Sequence, residues 1–191
     1  MKWAIAMVDG ILNVLKPPGM TSHDVIGYLR RVLQTKKIGH TGTLDPDAAG
    51  VLPVFIGSAT RLLEYSGEET KSYRVELRFG IKTDTADDSG NAIETSTVYR
   101  PSSKELETVL SKFTGSLMQI PPMYSSVRHD GKKLYQLARA GLTIEREPRP
   151  IAIYKLDIVY QEDDYLVLDV ECSKGTFIRT LCEDIAAALG M

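Results

Sequence analysis

A glycine-rich loop carries the residues best suited to chemistry in this chain. Residues 39–50 read GHTGTLDPDAAG. Glycine and proline at this density interrupt helices and strands and allow tight turns of the backbone. Loops of fixed shape often carry catalytic side chains on a more rigid scaffold. Asp45 and His40 are therefore the first candidates for a reactive site.

Asp45 admits more than one interpretation. It precedes Pro46, and a residue before proline is biased toward extended or turn backbone. An aspartate in such a place commonly does no more than stabilise a turn through its own backbone. The spacing of His40, Asp45 and Asp47 matches none of the usual zinc or calcium patterns. No GK[ST] follows the glycines, so the loop does not read as a phosphate-binding loop.

Arg179 and Tyr73 are candidates because of their places in predicted elements. Arg179 falls in the first turn of the last predicted helix, where a cation opposes the helix dipole at a cost of about 0.3–1 kcal/mol. That placement indicates an anionic partner, or else an arginine that simply reaches solvent. Tyr73 shares strand parity with Val75 and Leu77. It is therefore either a core tyrosine or the wall of a pocket.

Charge is distributed unevenly along the chain. The formal net charge is −2, from 23 Lys and Arg against 25 Asp and Glu, yet residues 28–40 contain basic side chains and no acid. Residues 121–150 mix cations with tyrosines, which suits looped or single-stranded RNA. An ordinary solvated surface is the alternative interpretation. The cations of residues 121–150 are Arg128, Lys132, Lys133, Arg139, Arg146 and Arg149.

Composition is typical of a soluble globular protein. Of 191 residues, 43% are hydrophobic and 25% charged, which is sufficient for a real core. No apolar run approaches the roughly 18 residues of a membrane helix. Cys172 and Cys182 lack a CxxC spacing, which predicts a reduced, cytoplasmic protein. We expect residues 1–8 to be a loose N-terminal extension and the protein to be a monomer.

Hydrophobic periodicity predicts an α+β fold with a mixed, largely antiparallel sheet and flanking helices. Ser102 and Glu105 resemble a capping box that begins a helix. Residues 87–91 read as a turn, for which we predict no chemistry. Strands are predicted at residues 11–15, 72–79, 151–160 and 165–172, and helices after Thr21 or Ser22, at 59–65 with an end at Gly67, from 102 to 112, at 134–140 and over the last residues from about 178.

Six sequence blocks, in order, resemble the TruB-type tRNA pseudouridine-55 synthases. The resemblance extends from about residue 9 to the end of the chain, and the GHTGTLDP block is highly specific. The blocks are Gly10 with KPPGMTS at 16–22, GHTGTLDP at 39–46, KSY at 71–73, PPMYS at 121–125, GKKLY at 131–135 with ARAG at 138–141, and KGTFIRTL at 174–181.

The resemblance implies the pseudouridine synthase fold and an isomerase that acts on one uridine in the T-loop of tRNA. Such an enzyme breaks the glycosidic bond, turns the freed uracil and rejoins it to the ribose through carbon. Members of this family need no metal and no organic cofactor. Asp45 matches the catalytic aspartate, whose carboxylate attacks the ribose, attacks the base or removes a ribose proton. All three roles require an ionised carboxylate, which aspartate provides at neutral pH.

The resemblance also implies roles for other residues. Arg179 matches an active-site arginine, which would supply the counter-charge that a buried carboxylate needs. Tyr73 matches a tyrosine that stacks on the extruded base, and His40 matches the residue that enters the T-loop beside the target. Lys16 matches a lysine near the site that positions the turn, and we count it among the RNA contacts. The remaining expected RNA contacts, in the segment 121–150 that closes over the T-loop, are Arg128, Lys132, Lys133, Tyr135 and Arg139.

The sequence departs from the family pattern in three places. Phe177 stands where many relatives have tyrosine, and Ser126 stands where alanine is more usual. The family normally continues beyond the last helix, so we expect residues 1–191 to be a C-terminally truncated catalytic domain without the C-terminal RNA-binding domain. A module that binds or folds tRNA without turnover is therefore the alternative function. A metal-dependent hydrolase using His40 and Asp45 is the least favoured one.

Overall fold

A computed structural model describes residues 9–66 and 70–191 of the chain. The predicted extension at residues 1–8 and the predicted helix end at Gly67 lie outside the described residues. Contacts within the chain divide it into two units, Met1–Gly67 and Glu68–Met191. Each unit is described by itself below.

The first unit is a small antiparallel sheet packed against one helix. It contains β1 (Gly10–Lys16), α1 (Ser22–Val32), β2 (Ile38–His40), β3 (Gly50–Ile56) and a 3₁₀ helix (Gly57–Tyr65). The strands lie in the order β1-β3-β2. Because β2 and β3 pair with each other, the sheet fixes both ends of the glycine-rich loop that joins them. The buried core residues are Val25, Ile26, Leu29, Ile38, Leu52, Val54 and Ile56.

Helix α1 begins after Thr21, one of the two residues that the sequence predicts as its cap, and Thr21 forms a capping box with Asp24. Thr21 accepts a hydrogen bond from the Asp24 backbone N–H, and the Asp24 carboxylate accepts one from the Thr21 backbone N–H. The box satisfies two backbone donors that the first turn of a helix leaves without partners. The start of α1, and with it the turn at residues 16–21, is thereby fixed.

The second unit is built on a four-stranded antiparallel sheet in the order β4-β11-β10-β7. Helices α2 and α4 contribute to its core, together with residues from β4, β10 and β11. Its elements are β4 (Lys71–Arg78), β5 (Ile81–Thr83), β6 (Ala92–Thr95), α2 (Ser103–Leu110), a 3₁₀ turn (Ser111–Phe113), β7 (Gly115–Gln119), β8 (Arg128–His129), β9 (Lys132–Lys133), α3 (Leu134–Arg139), β10 (Arg149–Gln161), β11 (Tyr165–Cys172) and α4 (Ile178–Ala188).

The predicted fold class is confirmed, with differences in detail. All strand pairs within residues 9–66 and 70–191 are antiparallel, so the described part contains no parallel pair. The helix predicted at 59–65 is a 3₁₀ helix. Strands β2, β3 and β7 and the short hairpins β5–β6 and β8–β9 were not predicted. All of these strands except β3 have two to five residues, which is too few for a clear alternation. Strand β3 is a nearly continuous apolar run interrupted by Pro53, and it shows no alternation either. No described helix has the length and apolar character required to cross a membrane.

Candidate active site

The loop that carries Asp45 is anchored on both sides of that residue. On the N-terminal side, Leu44 donates its backbone N–H to Ser22 Oγ at 3.0 Å, and Ser22 Oγ donates to the Leu44 carbonyl at 3.3 Å. On the C-terminal side, the Pro46 carbonyl accepts hydrogen bonds from Lys16 Nζ at 2.8 Å and from the Gly19 N–H at 3.0 Å. Asp45 is half-buried between these anchors. The backbone is therefore anchored at Leu44 and at Pro46, the residues on either side of Asp45.

Lys16 is completely buried, with 0% of its surface exposed. Its ammonium group donates to the carbonyls of Pro17 at 2.9 Å, Met20 at 2.7 Å and Pro46 at 2.8 Å. An ammonium has three N–H donors, so these bonds use all of them. Burial lowers the pKa of Lys16 below its ordinary value, while Asp47 and Asp45 act in the opposite direction. Lys16 thus supports the loop from its buried side, and because it has no exposed surface it does not make the RNA contact expected of it.

We expect Lys16→Met to destabilise the protein by about 2–3 kcal/mol. Methionine keeps the length of the side chain but leaves the carbonyls of Pro17 and Met20 without this donor, and each unsatisfied buried group costs about 1–3 kcal/mol. Urea denaturation would measure the change. The exposed Lys36→Met provides the control and should change stability by less than about 0.5 kcal/mol. Equal losses in the two variants would contradict the supporting role of Lys16.

His40 is the last residue of β2. Its register partner is Val54 of β3, and its side chain is half-buried. His40 Nδ1 lies against the carbonyl oxygen of Gly42. Because a carbonyl oxygen only accepts, Nδ1 is the donor in this contact. The ring is therefore oriented by its own loop.

Arg179 is the second residue of α4, where the sequence predicts it. Its side chain is only 15% exposed. One nitrogen, Nη1, donates to the Thr85 carbonyl at 2.8 Å and lies 3.5 Å from the Asp87 carboxylate; the other, Nη2, donates to the Tyr124 carbonyl at 2.9 Å. The guanidinium therefore bridges two loops that are about 40 residues apart in sequence.

Asp87 is the residue that the sequence interpretation missed. The turn was predicted correctly, but the prediction that it has no chemical importance overlooked its carboxylate, which lies beside Arg179. Burial acts to raise the pKa of Asp87, but hydrogen bonds from Ser89 and Thr85 and the charge of Arg179 outweigh it and hold the pKa below its ordinary value. The carboxylate is therefore ionised at neutral pH. The sequence feature that could have indicated the importance of Asp87 is the set of hydroxyl residues on both sides of it, at positions 83, 85 and 89.

Tyr73 lies near the start of β4 and pairs with Val170 of β11. It is half-buried and packs against the apolar core of the second unit. The predicted strand parity is confirmed, because Val75, Leu77 and Phe79 are also on the less exposed side. Both interpretations of Tyr73, as a core residue and as the wall of a pocket, are compatible with this partial burial.

The segment 121–150 leaves the sheet after β7 and returns to it at β10. Arg128 of β8 is the register partner of Lys133 of β9, so this hairpin places the two cationic residues side by side. Lys133 Nζ and the Arg139 guanidinium lie 5.6 and 5.5 Å from the centre of the Tyr135 ring. Both distances are within the range of cation–π attraction. Lys132 is exposed, and so are Arg128 and Arg139.

The predicted site residues thus fall into two sets. The first unit contains Lys16, His40 and Asp45 on one anchored loop system. The second contains Tyr73 on β4, Arg179 on α4 and the cationic segment 121–150. Across residues 9–66 and 70–191, no three His, Cys, Asp or Glu side chains come together as a metal-binding group.

Comparison with known proteins identifies one family. The model of the "TruB family pseudouridylate synthase (N terminal domain)" matches residues 30–178. Proteins named tRNA pseudouridine synthase B from Caldanaerobacter subterraneus subsp. tengcongensis and Heliobacterium modesticaldum are each 51% identical to this chain, over 183 and 186 residues. They match 95% and 96% of this chain, which covers 64% and 61% of their own lengths. The chain therefore spans less than two thirds of these relatives.

Solved structures show the same fold. A chain in the structure of an H/ACA RNP bound to a substrate RNA containing 2'-deoxyuridine has a TM-score of 0.67 and 25% identity, and the match covers 95% of this chain and 43% of that one. A chain in a Cbf5-Nop10-Gar1 complex has a TM-score of 0.69 and 28% identity, with 97% and 45% covered. This chain therefore shares its fold with chains of both complexes.

Proposed function

The chain belongs to the TruB family of pseudouridylate synthases, and from that premise we propose that it converts uridine to pseudouridine in tRNA. One observation carries the proposal: relatives named tRNA pseudouridine synthase B match about 95% of this chain at 51% identity. The finer proposal is that the target uridine lies in the T-loop and that Asp45 is the reacting carboxylate.

The proposed reaction is an isomerisation, and it balances without any other reactant. The bond from ribose C1′ to uracil N1 breaks, the base turns, and a bond forms between C1′ and C5. The proton on C5 leaves and N1 becomes protonated. No atom is gained and no electron is transferred to a partner, so the reaction consumes no co-reactant. From the family resemblance, we also propose that it needs no metal and no organic cofactor.

Asp45 is suited to this reaction by its support as well as by its charge. A reacting group must be held within about 0.5 Å of its productive position, which requires a rigid backbone. The Ser22 and Lys16 hydrogen bonds restrain Leu44 and Pro46, the residues on either side of Asp45. The buried Lys16 ammonium also supplies a positive charge near the Asp45 carboxylate. That charge favours the ionised form, which all three possible roles of the carboxylate require.

The other residues fit distinct tasks in the proposed reaction. Arg179, fixed by two carbonyls and Asp87, can stabilise negative charge without reorganising during the reaction. Tyr73 can stack on the extruded uracil, and His40 can occupy the space that the base leaves. Base extrusion costs a few kcal/mol of lost stacking, which such contacts partly offset.

We propose that the segment 121–150 contacts the RNA backbone. Its exposed cations and the cation–aromatic cluster around Tyr135 support the proposal. Phosphate contacts contribute affinity that is independent of sequence and sensitive to salt. Aromatic rings among them can stack on unpaired bases.

We expect Lys132→Ala and Arg139→Ala to weaken binding to a T-loop hairpin and to make binding less sensitive to salt. Each lost phosphate contact should lower the slope of log Kd against log salt by about 0.7–0.9. Fluorescence anisotropy between 50 and 200 mM salt would measure it. The control is Lys104→Ala, an exposed lysine on α2, and it should leave the slope unchanged. An unchanged slope in Lys132→Ala and Arg139→Ala would contradict this assignment.

The experiment that tests the proposed function is product analysis of a T-loop hairpin after incubation with the 191-residue chain. We expect chemical mapping to detect pseudouridine at the target position. A module that binds or folds tRNA without turnover would retain the hairpin and leave uridine unchanged. A metal-dependent hydrolase would release fragments and lose activity with a chelator. Binding without product at high protein concentration would therefore overturn the enzymatic proposal.

A further inference from the structure

Gln119, the last residue of β7, makes an unusual pair of hydrogen bonds. Its side chain is buried, with 4% of the residue exposed. Its Nε2 donates to the Phe177 carbonyl at 3.0 Å, and its Oε1 accepts from the Phe177 N–H at 2.8 Å. The amide group therefore pairs with both backbone groups of one residue, as a neighbouring strand would.

Phe177 immediately precedes α4 as its N-cap residue, and its side chain cannot cap the helix. Helix starts normally use a Ser, Thr, Asp or Asn side chain to satisfy backbone donors. Phe177 has no such group, and no side chain caps α4 in that way. The Gln119 amide fixes Phe177 from outside the helix instead. Arg179 follows two residues later, so its Cα position depends on where Phe177 lies.

The turn before α4 is anchored at its other end as well. Ser173 exchanges two hydrogen bonds with Ala152 of β10: its N–H donates to the Ala152 carbonyl at 2.8 Å, and its Oγ accepts from the Ala152 N–H at 2.9 Å. Thr176 Oγ1 donates to the Ser173 carbonyl at 2.9 Å. The turn is thus fixed at Ser173 by β10 and at Phe177 by the end of β7.

Gln119 also stands at the base of the segment 121–150. It forms the last register pair of β7 with Arg149 of β10, immediately before the chain leaves the sheet. Within that segment, the Tyr124 carbonyl accepts a hydrogen bond from Arg179 at 2.9 Å. The buried Gln119 amide therefore connects the start of α4, which carries Arg179, to the end of β7. The segment that follows β7 contains Tyr124, whose carbonyl accepts a hydrogen bond from Arg179.

We propose that Gln119 is a positioning residue for the isomerisation, which sets the location of the Arg179 guanidinium relative to the Thr85 and Tyr124 carbonyls. The proposal rests on the proposed function. Glutamine is suited to the task because it is neutral and offers a donor and an acceptor side by side. A carboxylate would only accept, and a methionine would do neither.

The test compares Gln119→Met with Gln161→Met. Methionine retains the length of the side chain and removes the amide in both. Gln161 ends β10 and donates to the Pro101 carbonyl at 2.7 Å, so Gln161→Met also loses a side-chain bond to backbone in the same unit. Measurements are the single-turnover rate at saturating T-loop hairpin, the Kd for the hairpin, the thermal midpoint, and the NMR signal of the Arg179 Nε–H group.

We expect Gln119→Met to lower the single-turnover rate by roughly 10- to 100-fold, since a displacement of about 1 Å can cost about 100-fold. The Kd should change less than threefold, because contacts outside the reacting centre remain. The Arg179 Nε–H signal should shift. Gln161→Met should have a thermal midpoint similar to that of Gln119→Met. Its single-turnover rate and its Arg179 Nε–H signal should equal those of the unaltered chain. Gln119→Glu, which keeps the volume and the acceptor, should also lose rate and provides a second variant if Gln119→Met folds poorly.

Equal rates in Gln119→Met and Gln161→Met at equal thermal midpoints would overturn the proposal, as would an Arg179 signal that does not move. Failure of the proposed function is distinguishable, because it appears as absence of product from the unaltered chain. In that case the Arg179 signal still decides the matter. A shift confined to the Gln119 variants supports positioning, and no shift overturns it.

Discussion

Asp45→Asn is expected to abolish pseudouridine formation while leaving tRNA binding nearly unchanged. Asparagine has the shape of aspartate, so the Ser22 and Lys16 anchors of the loop should be retained. It lacks the ionised oxygen that attack on ribose, attack on base and removal of a ribose proton all require. The single-turnover rate should fall by roughly 10⁴- to 10⁶-fold, the scale seen when a reacting side chain is removed. Product mapping and anisotropy on the same hairpin would measure both quantities.

The matched control for this prediction is Asp47→Asn. Asp47 is exposed and lies two residues away in the same loop, so the substitution removes an equal charge from nearly the same place. It should lower the rate less than about tenfold, because a nearby exposed charge in water contributes little. Persistent turnover in Asp45→Asn would remove Asp45 from the chemistry. Equal losses in Asp45→Asn and Asp47→Asn would instead indicate that the loop's overall charge matters.

Much of the fold could be predicted, because local sequence determines it. The capping box of Ser102 and Glu105 lies within four consecutive residues, and the inward side of β4 follows from simple alternation. The buried stripe of α4, which includes Leu181, Cys182 and Ile185, follows from helical spacing. The unusual position of Arg179 in the first turn predicted an anionic partner, and the structure provides one in Asp87. Each of these signals lies within one element.

The supports of the candidate site could not be predicted in the same way. Lys16 is joined to Pro46 across 30 residues, Gln119 to Phe177 across 58 and Arg179 to Thr85 across 94. Each bond joins a side chain to a backbone group, and any residue type supplies that backbone group. Such hydrogen bonds produce no periodic pattern in the sequence. They also need no complementary side chain that a sequence analysis could identify. Only the folded chain shows that a lysine is buried under a loop or that a glutamine pairs with the residue before a helix.

The second large effect is expected from Arg179→Lys, which should lower the single-turnover rate by roughly 10²- to 10³-fold, the range for loss of a preorganised charge donor. Lysine keeps the charge, but a single ammonium cannot span the Thr85 carbonyl, the Tyr124 carbonyl and the Asp87 carboxylate as the planar guanidinium does. Rapid-quench product analysis at saturating hairpin would measure the rate. Binding should weaken much less, because the buried guanidinium contributes little to the exposed basic surface.

Asp87→Asn tests whether the carboxylate acts through Arg179. Alone it should slow the reaction by about tenfold, since the arginine keeps both carbonyl partners and loses only a charge 3.5 Å away. Because the two side chains are in contact, Arg179→Lys combined with Asp87→Asn should be less damaging than the product of the single effects, with a coupling of roughly 0.5–3 kcal/mol. Asp88→Asn, an exposed neighbour in the same turn, should show no coupling. Strict additivity for Asp87 would mean that its carboxylate affects the reaction independently of Arg179, and the turn would then contribute to the site in its own right.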